Sequence, residues 1–229
     1  MKKDLFAVVL LLGLSTVIVS CGGGHKYVDL GLSSGTMWAT CNIGAQTPEA
    51  CGNYFSWGET RPKKKYTEEN YRFFKNVVLD EDGWGREGDI TKYNSTKMWG
   101  KVDNKFVLDS KDDAAHKRWG GKWRMPTKPE WDELLEECEW SWKKDGTYQC
   151  GYVVTGPNGN SIYLPAAGGK SDEPDNSGLH GLGTLGAYWS SWKDTYDAYL
   201  LYFDFSGEQL ETSSSERHIG ISIRPVCHP

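Results

Sequence analysis

The sequence has few aliphatic side chains, no excess of basic charge and no second long hydrophobic run. Apolar residues make up 38% of its 229 residues, and 26 Lys and Arg stand against 31 Asp and Glu, a net charge of −5. Domains that bind nucleic acid usually present a basic face, so this balance argues against nucleic acid as a partner. Aromatic residues nevertheless reach 13%, together with 27 Gly. This composition excludes a disordered chain and favours short strands with packed loops.

Spacings typical of metal or cofactor sites are missing as well. The six cysteines show no C-x-x-C pair, and the five histidines show no H-x-x-x-H or H-E-x-x-H pair, which argues against zinc and redox-dithiol sites. Gly181–Gly186 reads G-x-G-x-x-G, but the residues after it are typical of a strand, whereas a dinucleotide site needs a helix there. We therefore predict no catalytic residue, no metal ligand and no cofactor, and expect that the protein is not an enzyme.

The single long hydrophobic run lies at the start of the chain. Two lysines precede the fifteen apolar-rich residues Leu5–Val19, a run shorter than the ~20 residues of a membrane span. The run leads into the letters IVSC, which resemble a bacterial lipobox. We predict a signal peptide over residues 1–20, acyl chains such as palmitate on Cys21, and a short tether over residues 21–26. Ordinary signal cleavage that leaves Cys21 as a spare thiol is the alternative.

This leader predicts a lipoprotein of the outer membrane whose lipid anchor makes the membrane its first partner. Its removal takes away two lysines and one aspartate, so the net charge changes from −5 to −6. Surface-exported lipoproteins of this kind often carry acidic residues just after the lipidated cysteine, and Gly22–Lys26 contains none. We therefore favour the periplasmic face, with the cell surface as the alternative.

The clearest local signal is a capping box, T-x-x-E, at Thr127–Glu130. Apolar residues then follow at helical spacing at Trp131, Leu134, Leu135 and Cys138, which predicts an amphipathic helix of about three turns. A shorter helix is predicted over residues 112–118, with acids first and bases last.

Period-2 alternation after Cys150 predicts strands. A Pro-Asn-Gly-Asn turn joins the first two of them into a hairpin. The predicted strands are Tyr152–Thr155, Ser161–Leu164, Ala187–Ser191, Asp197–Phe205 and His218–Val226. Residues 58–107 predict a packed, aromatic-containing loop. The sequence thus predicts one α+β domain over residues 27–229, with two short helices, antiparallel sheets and long loops.

Several phrases along the chain carry a family resemblance. They are Tyr27–Leu32, Trp38–Ala45, Tyr54–Thr60, Asp113–Pro126, Asn158–Gly168, Tyr188–Ser191 and Ser222–Cys227. In this order they resemble the Fibrobacter succinogenes major paralogous domain family, which is common in Bacteroidetes-type lipoproteins. Residues 123–131 are also similar to a segment of formylglycine-generating sulfatase-modifying proteins. The resemblance implies a C-type-lectin-like fold with twisted antiparallel sheets, and it implies no activity, because the reactive cysteine pair and the histidine cluster of the related enzymes are missing here.

The cysteines beyond Cys21 are candidates for disulfides in an oxidising compartment. They are Cys41, Cys51, Cys138, Cys150 and Cys227. Two of them, Cys51 and Cys150, depart from the family pattern, which suggests a bridge between them. The lectin-like resemblance implies a second bridge from Cys138 to Cys227. Sequence alone leaves the connectivity open.

The predicted function is non-catalytic binding of a carbohydrate or protein ligand in the cell envelope. In lectin-like folds the ligand surface is formed by loops late in the chain, which here implies Ser191–Tyr196 and Glu211–Arg217. Trp192 and Tyr196 would stack on the ligand, and Lys193, Asp194 and Arg217 would supply hydrogen bonds. For Trp192 and Arg217, a purely structural role is the alternative.

Two rival hypotheses remain beside ligand binding by the late loops. One is a structural or accessory outer-membrane lipoprotein that contacts envelope proteins. The other is calcium-dependent sugar binding, for which Glu173–Asn176 faintly resembles half of a calcium-lectin motif. The second half of that motif is missing, because Lys193 stands where an amide ligand is expected.

Overall fold

The structure, a computed structural model, describes residues 19–20, 24–78, 87–145, 149–171 and 179–228. Small antiparallel sheets dominate it, with the two α-helices α1 (Ala114–Trp119) and α2 (Lys128–Glu137) and a 3-10 helix at Lys97–Trp99. The predicted α+β class is therefore confirmed. Cys21 and the predicted signal peptide, apart from residues 19–20, lie outside the described residues.

The strands form three larger sheets and two hairpins. In chain order they are β1 (Val19–Ser20), β2 (Lys26–Asp29), β3 (Met37–Ala39), β4 (Phe74–Val78), β5 (Glu87–Ile90), β6 (Glu139–Asp145), β7 (Gln149–Thr155), β8 (Ser161–Pro165), β9 (Gly169–Lys170), β10 (Leu179–His180), β11 (Leu185–Lys193), β12 (Ala198–Asp204), β13 (Leu210–Ser215) and β14 (Val226–Cys227). The sheets run β1-β2-β3-β14, β6-β7-β8 and β11-β12-β13, with the pairs β4-β5 and β9-β10. The predicted hairpin is confirmed as β7-β8, and the predicted strand Ala187–Ser191 lies within β11.

The two ends of the domain meet in one sheet. β3 lies between β2 and β14, so that Trp38 stands opposite both Val28 and Val226. Arg124, which precedes α2, joins the same region through its backbone N–H, which donates to the Val226 carbonyl at 3.0 Å. The described core residues run from Tyr27 to Cys227, so a chain of residues 22–229 retains the whole of this core.

Aromatic rings fill the core in place of aliphatic side chains. Trp38 and Trp131 pack with ring centroids 4.6 Å apart, and Trp57 meets Tyr93 edge to face at 5.1 Å. The indole N–H of Trp57 donates to the Ser190 carbonyl at 2.9 Å, which satisfies a buried polar group. Such pairs explain how a chain with few aliphatics builds a core.

The described part of segment 58–107, residues 58–78 and 87–107, is packed, as the sequence predicted. Tyr66, Tyr71, Phe73 and Tyr93 are all buried. The segment is not only loop, however, because it contains β4, β5 and the 3-10 helix. Aromatic side chains therefore anchor this long connection to the core.

The capping box at the start of α2 is confirmed. The Thr127 hydroxyl accepts the Glu130 N–H at 3.3 Å, and the Glu130 carboxylate accepts the Thr127 N–H at 2.8 Å. Arg124 also pairs with that carboxylate, with Nη1 and Oε2 2.7 Å apart. Burial opposes ionisation of Glu130, but Arg124 and the Thr127 hydrogen bonds outweigh burial and lower its pKa to about 2.

The predicted strand over residues 218–226 is wrong. Ile221 and Ile223 do enter the core, but this stretch makes only isolated bridges to different neighbours. Gly220 bridges Lys170, Ile221 bridges Phe55, and Ser222 bridges Tyr188. Because these partners belong to separate parts of the chain, no continuous ladder forms before β14.

Two further differences concern neighbouring strands. Phe205, the last residue of the predicted strand 197–205, lies outside β12 and is 62% exposed. β12 ends at Asp204, whose Oδ1 accepts the N–H groups of Ser206 and Gly207 and so closes a turn that leaves Phe205 outside. Strand β6 was not predicted, although its sequence EWSWKKD begins with alternating polar and apolar residues. It pairs with β7 along its whole length.

The two disulfides suggested by the sequence do not form. Cys41, Cys51, Cys138 and Cys150 are free thiols. Neither the Cys51–Cys150 bridge nor the Cys138–Cys227 bridge is therefore present. Burial raises the pKa of Cys138 to about 11, with Glu137 and Glu133 adding to it, so that this thiol stays protonated near neutral pH.

Candidate functional site

The candidate site lies where β11 ends and the chain segment 106–108 runs beside it. Val107 forms an antiparallel bridge with Trp192. The Lys193 N–H donates to the Phe106 carbonyl at 2.9 Å, and the Leu108 N–H donates to the Ser191 carbonyl at 3.0 Å. These backbone bonds fix the two segments side by side and bring residues about 85 positions apart in sequence into one surface.

An irregularity in β11 brings Trp192 to that surface. The β11–β12 register shifts between Trp189 and Lys193, and the Ser190 hydroxyl accepts the Trp192 N–H at 3.1 Å. Bulges of this kind bend a strand and redirect its side chains. Trp189 is consequently fully buried, whereas Trp192 is only half-buried.

The two segments enclose a cleft of about 450 Å³. Its lining residues are Ser95, Phe106, Val107, Trp192, Lys193, Asp194, Thr195 and Tyr199. Phe106 is 56% and Val107 is 44% exposed. An apolar wall with a few polar groups is typical of a small-molecule site, and the volume lies in the usual range.

Lys193 is held firmly inside the cleft wall. Its Nζ donates to the Ser95 hydroxyl at 2.8 Å and to the Asp194 carbonyl at 3.2 Å, and it lies 4.6 Å from the centre of the Phe106 ring. The residue is only 4% exposed. Burial, followed by the positive charge of Arg217, lowers the pKa of Lys193.

Asp194 and Tyr199 form the polar end of the cleft. The Asp194 Oδ1 accepts the Thr195 N–H at 2.7 Å and the Tyr199 hydroxyl at 3.4 Å. Burial and the Asp194 charge raise the pKa of Tyr199. The Tyr199 hydroxyl therefore remains a hydrogen-bond donor at neutral pH.

The other two predicted site residues do not line the cleft. Tyr196 packs inward, 4.9 Å from Trp99 and 5.4 Å from Phe74 between ring centroids. Arg217 is fully buried, so its guanidinium does not reach a ligand at the surface.

Arg217 instead holds the turn at the end of the cleft. Its Nε donates to the Asp197 carbonyl at 3.0 Å, and its Nη1 donates to the Tyr93 carbonyl at 3.2 Å. The guanidinium also lies over the Trp57 ring, 5.2 Å from its centre. The structure therefore supports the alternative prediction for Arg217, a purely structural role, and not ligand binding.

Sequence reasoning therefore located Trp192, Lys193 and Asp194 but missed the opposite wall. Phe106 and Val107 belong to an apolar triplet inside a polar stretch, and this triplet is the one local signal that pointed to them. Tyr199 was predicted only as part of the strand Asp197–Phe205. Glu211 was expected in a loop but lies in β13. The motif Glu173–Asn176 lies outside the described residues.

A second cleft of about 540 Å³ lies beside β9 and β13. Ser171 and His180 line it, with Oγ and Nε2 3.0 Å apart. A serine nucleophile needs a base that a third group orients, and within the described residues no carboxylate bonds to the His180 ring. We interpret this pair as a link that ties Ser171, beyond β9, to β10.

Neither a metal-binding cluster nor a membrane-spanning helix is found among the described residues. In the described part of the chain, no group of three or more His, Cys, Asp or Glu side chains is placed to hold a metal ion. No helix among the described residues has the length and apolarity needed to cross a bilayer. Comparison with protein-family models, with curated proteins and with solved structures finds no match to this chain.

Proposed function

We propose that the protein is an outer-membrane lipoprotein whose folded domain binds a carbohydrate without catalysing a reaction. The single observation that carries this proposal is the cleft between segment 106–108 and the end of β11. It places the exposed ring of Phe106 and the half-buried ring of Trp192 beside the carboxylate of Asp194.

This combination suits the two kinds of surface that a sugar ring presents. Aromatic faces pack against the apolar C–H face of a sugar, and hydrogen-bonding groups read its hydroxyls. In the cleft, Trp192 and Phe106 supply the rings, while the Asp194 carboxylate and the Tyr199 oxygen, whose proton already goes to Asp194, accept from sugar hydroxyls. Lys193 is already bonded to Ser95, so we assign it to shaping the cleft more than to contacting ligand.

The fold type and the family of the domain are part of the same proposal. We propose a C-type-lectin-like domain of the Fibrobacter succinogenes major paralogous domain family. The two short helices, the small antiparallel sheets and the position of the cleft on loops late in the chain support it. The sequence motifs that carry the family resemblance, from Tyr27–Leu32 to Ser222–Cys227, are the other support.

The membrane location is proposed from the sequence of the leader. Acylation of Cys21 would anchor the domain in the outer membrane, facing the periplasm. The test is the mass of the N-terminal peptide after expression in a Gram-negative host. Acyl chains on Cys21 support the anchor, and an unmodified N-terminus at residue 21 or elsewhere contradicts it.

The binding proposal is tested with a glycan and polysaccharide array probed by soluble residues 22–229. We expect a hit that the Trp192→Ala variant loses at least about tenfold in affinity, with the free energy of unfolding little changed because Trp192 is only half-buried. The matched control is Phe205→Ala, an exposed aromatic outside the cleft. EDTA should leave the hit intact.

The exposed Phe106 and Val107 favour one second candidate, a structural lipoprotein that contacts an envelope protein through the same wall. A blank array with folded protein would contradict carbohydrate binding. A crosslinked protein partner that Val107→Asp abolishes would then support the structural role.

A further inference from the structure

A group of exposed cations lies at the base of the tether. Lys26, Lys117, Arg118 and Lys122 are all exposed, and we name them the tether-side patch. Among the described residues, none of the ion pairs involves any of the four.

Stacked aromatic rings hold the two segments that carry these cations, residues 25–26 and 117–123, beside one another. The His25 ring lies parallel to the Trp119 ring, with centroids 3.9 Å apart and an angle of 9° between planes. It also meets the Trp123 ring edge-on at 6.5 Å. Each of the three rings has a patch cation as its neighbour in sequence, namely Lys26, Arg118 and Lys122.

The same stacking fixes how far the patch lies from the anchor. His25 is held on Trp119, so only Gly22, Gly23 and Gly24 separate it from Cys21. A fully extended chain spans at most ~3.6 Å per residue, which limits the Cys21-to-His25 distance to about 15 Å. An acylated Cys21 would therefore keep the patch within one or two Debye lengths of the lipid headgroups.

We propose that the tether-side patch docks on the phosphate groups of an anionic phospholipid surface and so fixes the orientation of the domain on its own membrane. This inference rests on the proposed lipid anchor. Charge complementarity selects the occupant, since each Lys or Arg near an anionic leaflet strengthens binding by about fivefold. The half-buried Trp119 beside the patch suits the headgroup region, where Trp is enriched.

The test uses the mature lipidated protein in vesicles of phosphatidylcholine alone and in vesicles that also contain phosphatidylglycerol. The readout is the rate at which an amine-acylating reagent modifies individual lysines, followed by peptide mass spectrometry. We expect Lys26, Lys117 and Lys122 to react several-fold more slowly on the anionic vesicles, and high salt should abolish this protection. The exposed Lys64, Lys75 and Lys97 serve as internal controls and should react equally on both.

A charge-reversed variant makes the test independent of any single lysine. Lys117→Glu, Arg118→Glu and Lys122→Glu together should abolish the protection of Lys26. The matched variant with Lys64→Glu, Lys75→Glu and Lys97→Glu carries the same change in charge and should retain that protection.

Failure of the docking and failure of the anchor give different results. Protein that floats with both kinds of vesicle but shows equal labelling of the patch lysines would overturn the docking alone. Protein that floats with neither would overturn the anchor and, with it, the orientation that depends on the anchor.

Discussion

Arg217 and Arg224 are both fully buried, and backbone carbonyls hold each guanidinium. Arg224 donates from Nη1 to the carbonyls of Ala39 and Thr40 at 3.0 and 2.9 Å, and from Nη2 to that of Tyr163 at 2.8 Å. Buried arginines of this kind join distant loops, and the sequence does not show whether an arginine is buried. For this reason the sequence placed Arg217 at the ligand surface.

Replacement of Arg217 should cost stability. Arg217→Met keeps much of the side-chain volume but leaves the Asp197 and Tyr93 carbonyls without their donor. We expect the free energy of unfolding to fall by about 3 kcal/mol, measured by urea denaturation. Arg118→Met, at an exposed position, should change it by less than about 0.5 kcal/mol. Equal effects of the two substitutions would contradict the role given to Arg217.

Glu130 should make stability depend on acid pH. Its folded pKa of about 2 lies below the ordinary glutamate value of 4.5, so its contribution to stability is complete above about pH 4.5 and is lost as the pH falls towards 2. The Glu130→Gln variant should be less stable at neutral pH by up to about 3 kcal/mol, and its stability should fall less between pH 5 and pH 2. Urea denaturation across that range measures both, and the exposed Glu136→Gln should follow the wild type.

At the scale of single elements, the capping box of α2 is the feature most open to direct test. Thr127→Ala removes the hydroxyl that accepts the Glu130 N–H, and we expect a loss of about 1 kcal/mol in the free energy of unfolding. Thr127→Ser keeps a hydroxyl and should retain most of the stability. A Ser variant as unstable as the Ala variant would show that the methyl group matters more than the cap.

Elements whose signals are local were predictable from the sequence. The start of α2 follows from Thr127 and Glu130, and the β7-β8 hairpin follows from its turn. Elements that depend on distant partners were not. Ile221 and Ser222 alternate like a strand but bridge Phe55 and Tyr188, which the sequence does not place beside each other. The wall formed by Phe106 and Val107 was missed for the same reason, because its pairing with β11 spans a long separation.

At the scale of the whole molecule, the last strand should be essential. Val226 and Cys227 are fully buried, and β14 completes the sheet with β3. Truncation after Pro225 should therefore lower the midpoint of thermal unfolding by more than about 10 °C, or prevent folding. Truncation after Cys227 removes Pro229 and the exposed His228 and should have little effect. Calorimetry of the two chains distinguishes a structural end from a dispensable one.

The meeting of the two chain ends in one sheet also sets the order in which this protein can fold. A chain that emerges from a ribosome or an export channel does so from its amino end, so Trp38 is released long before Val226, its partner in β3-β14. The sheet cannot close until β14 has emerged. A chain that still lacks Val226 is thus unable to complete this sheet, and the emergence of β14 is the step that commits the domain to its native state.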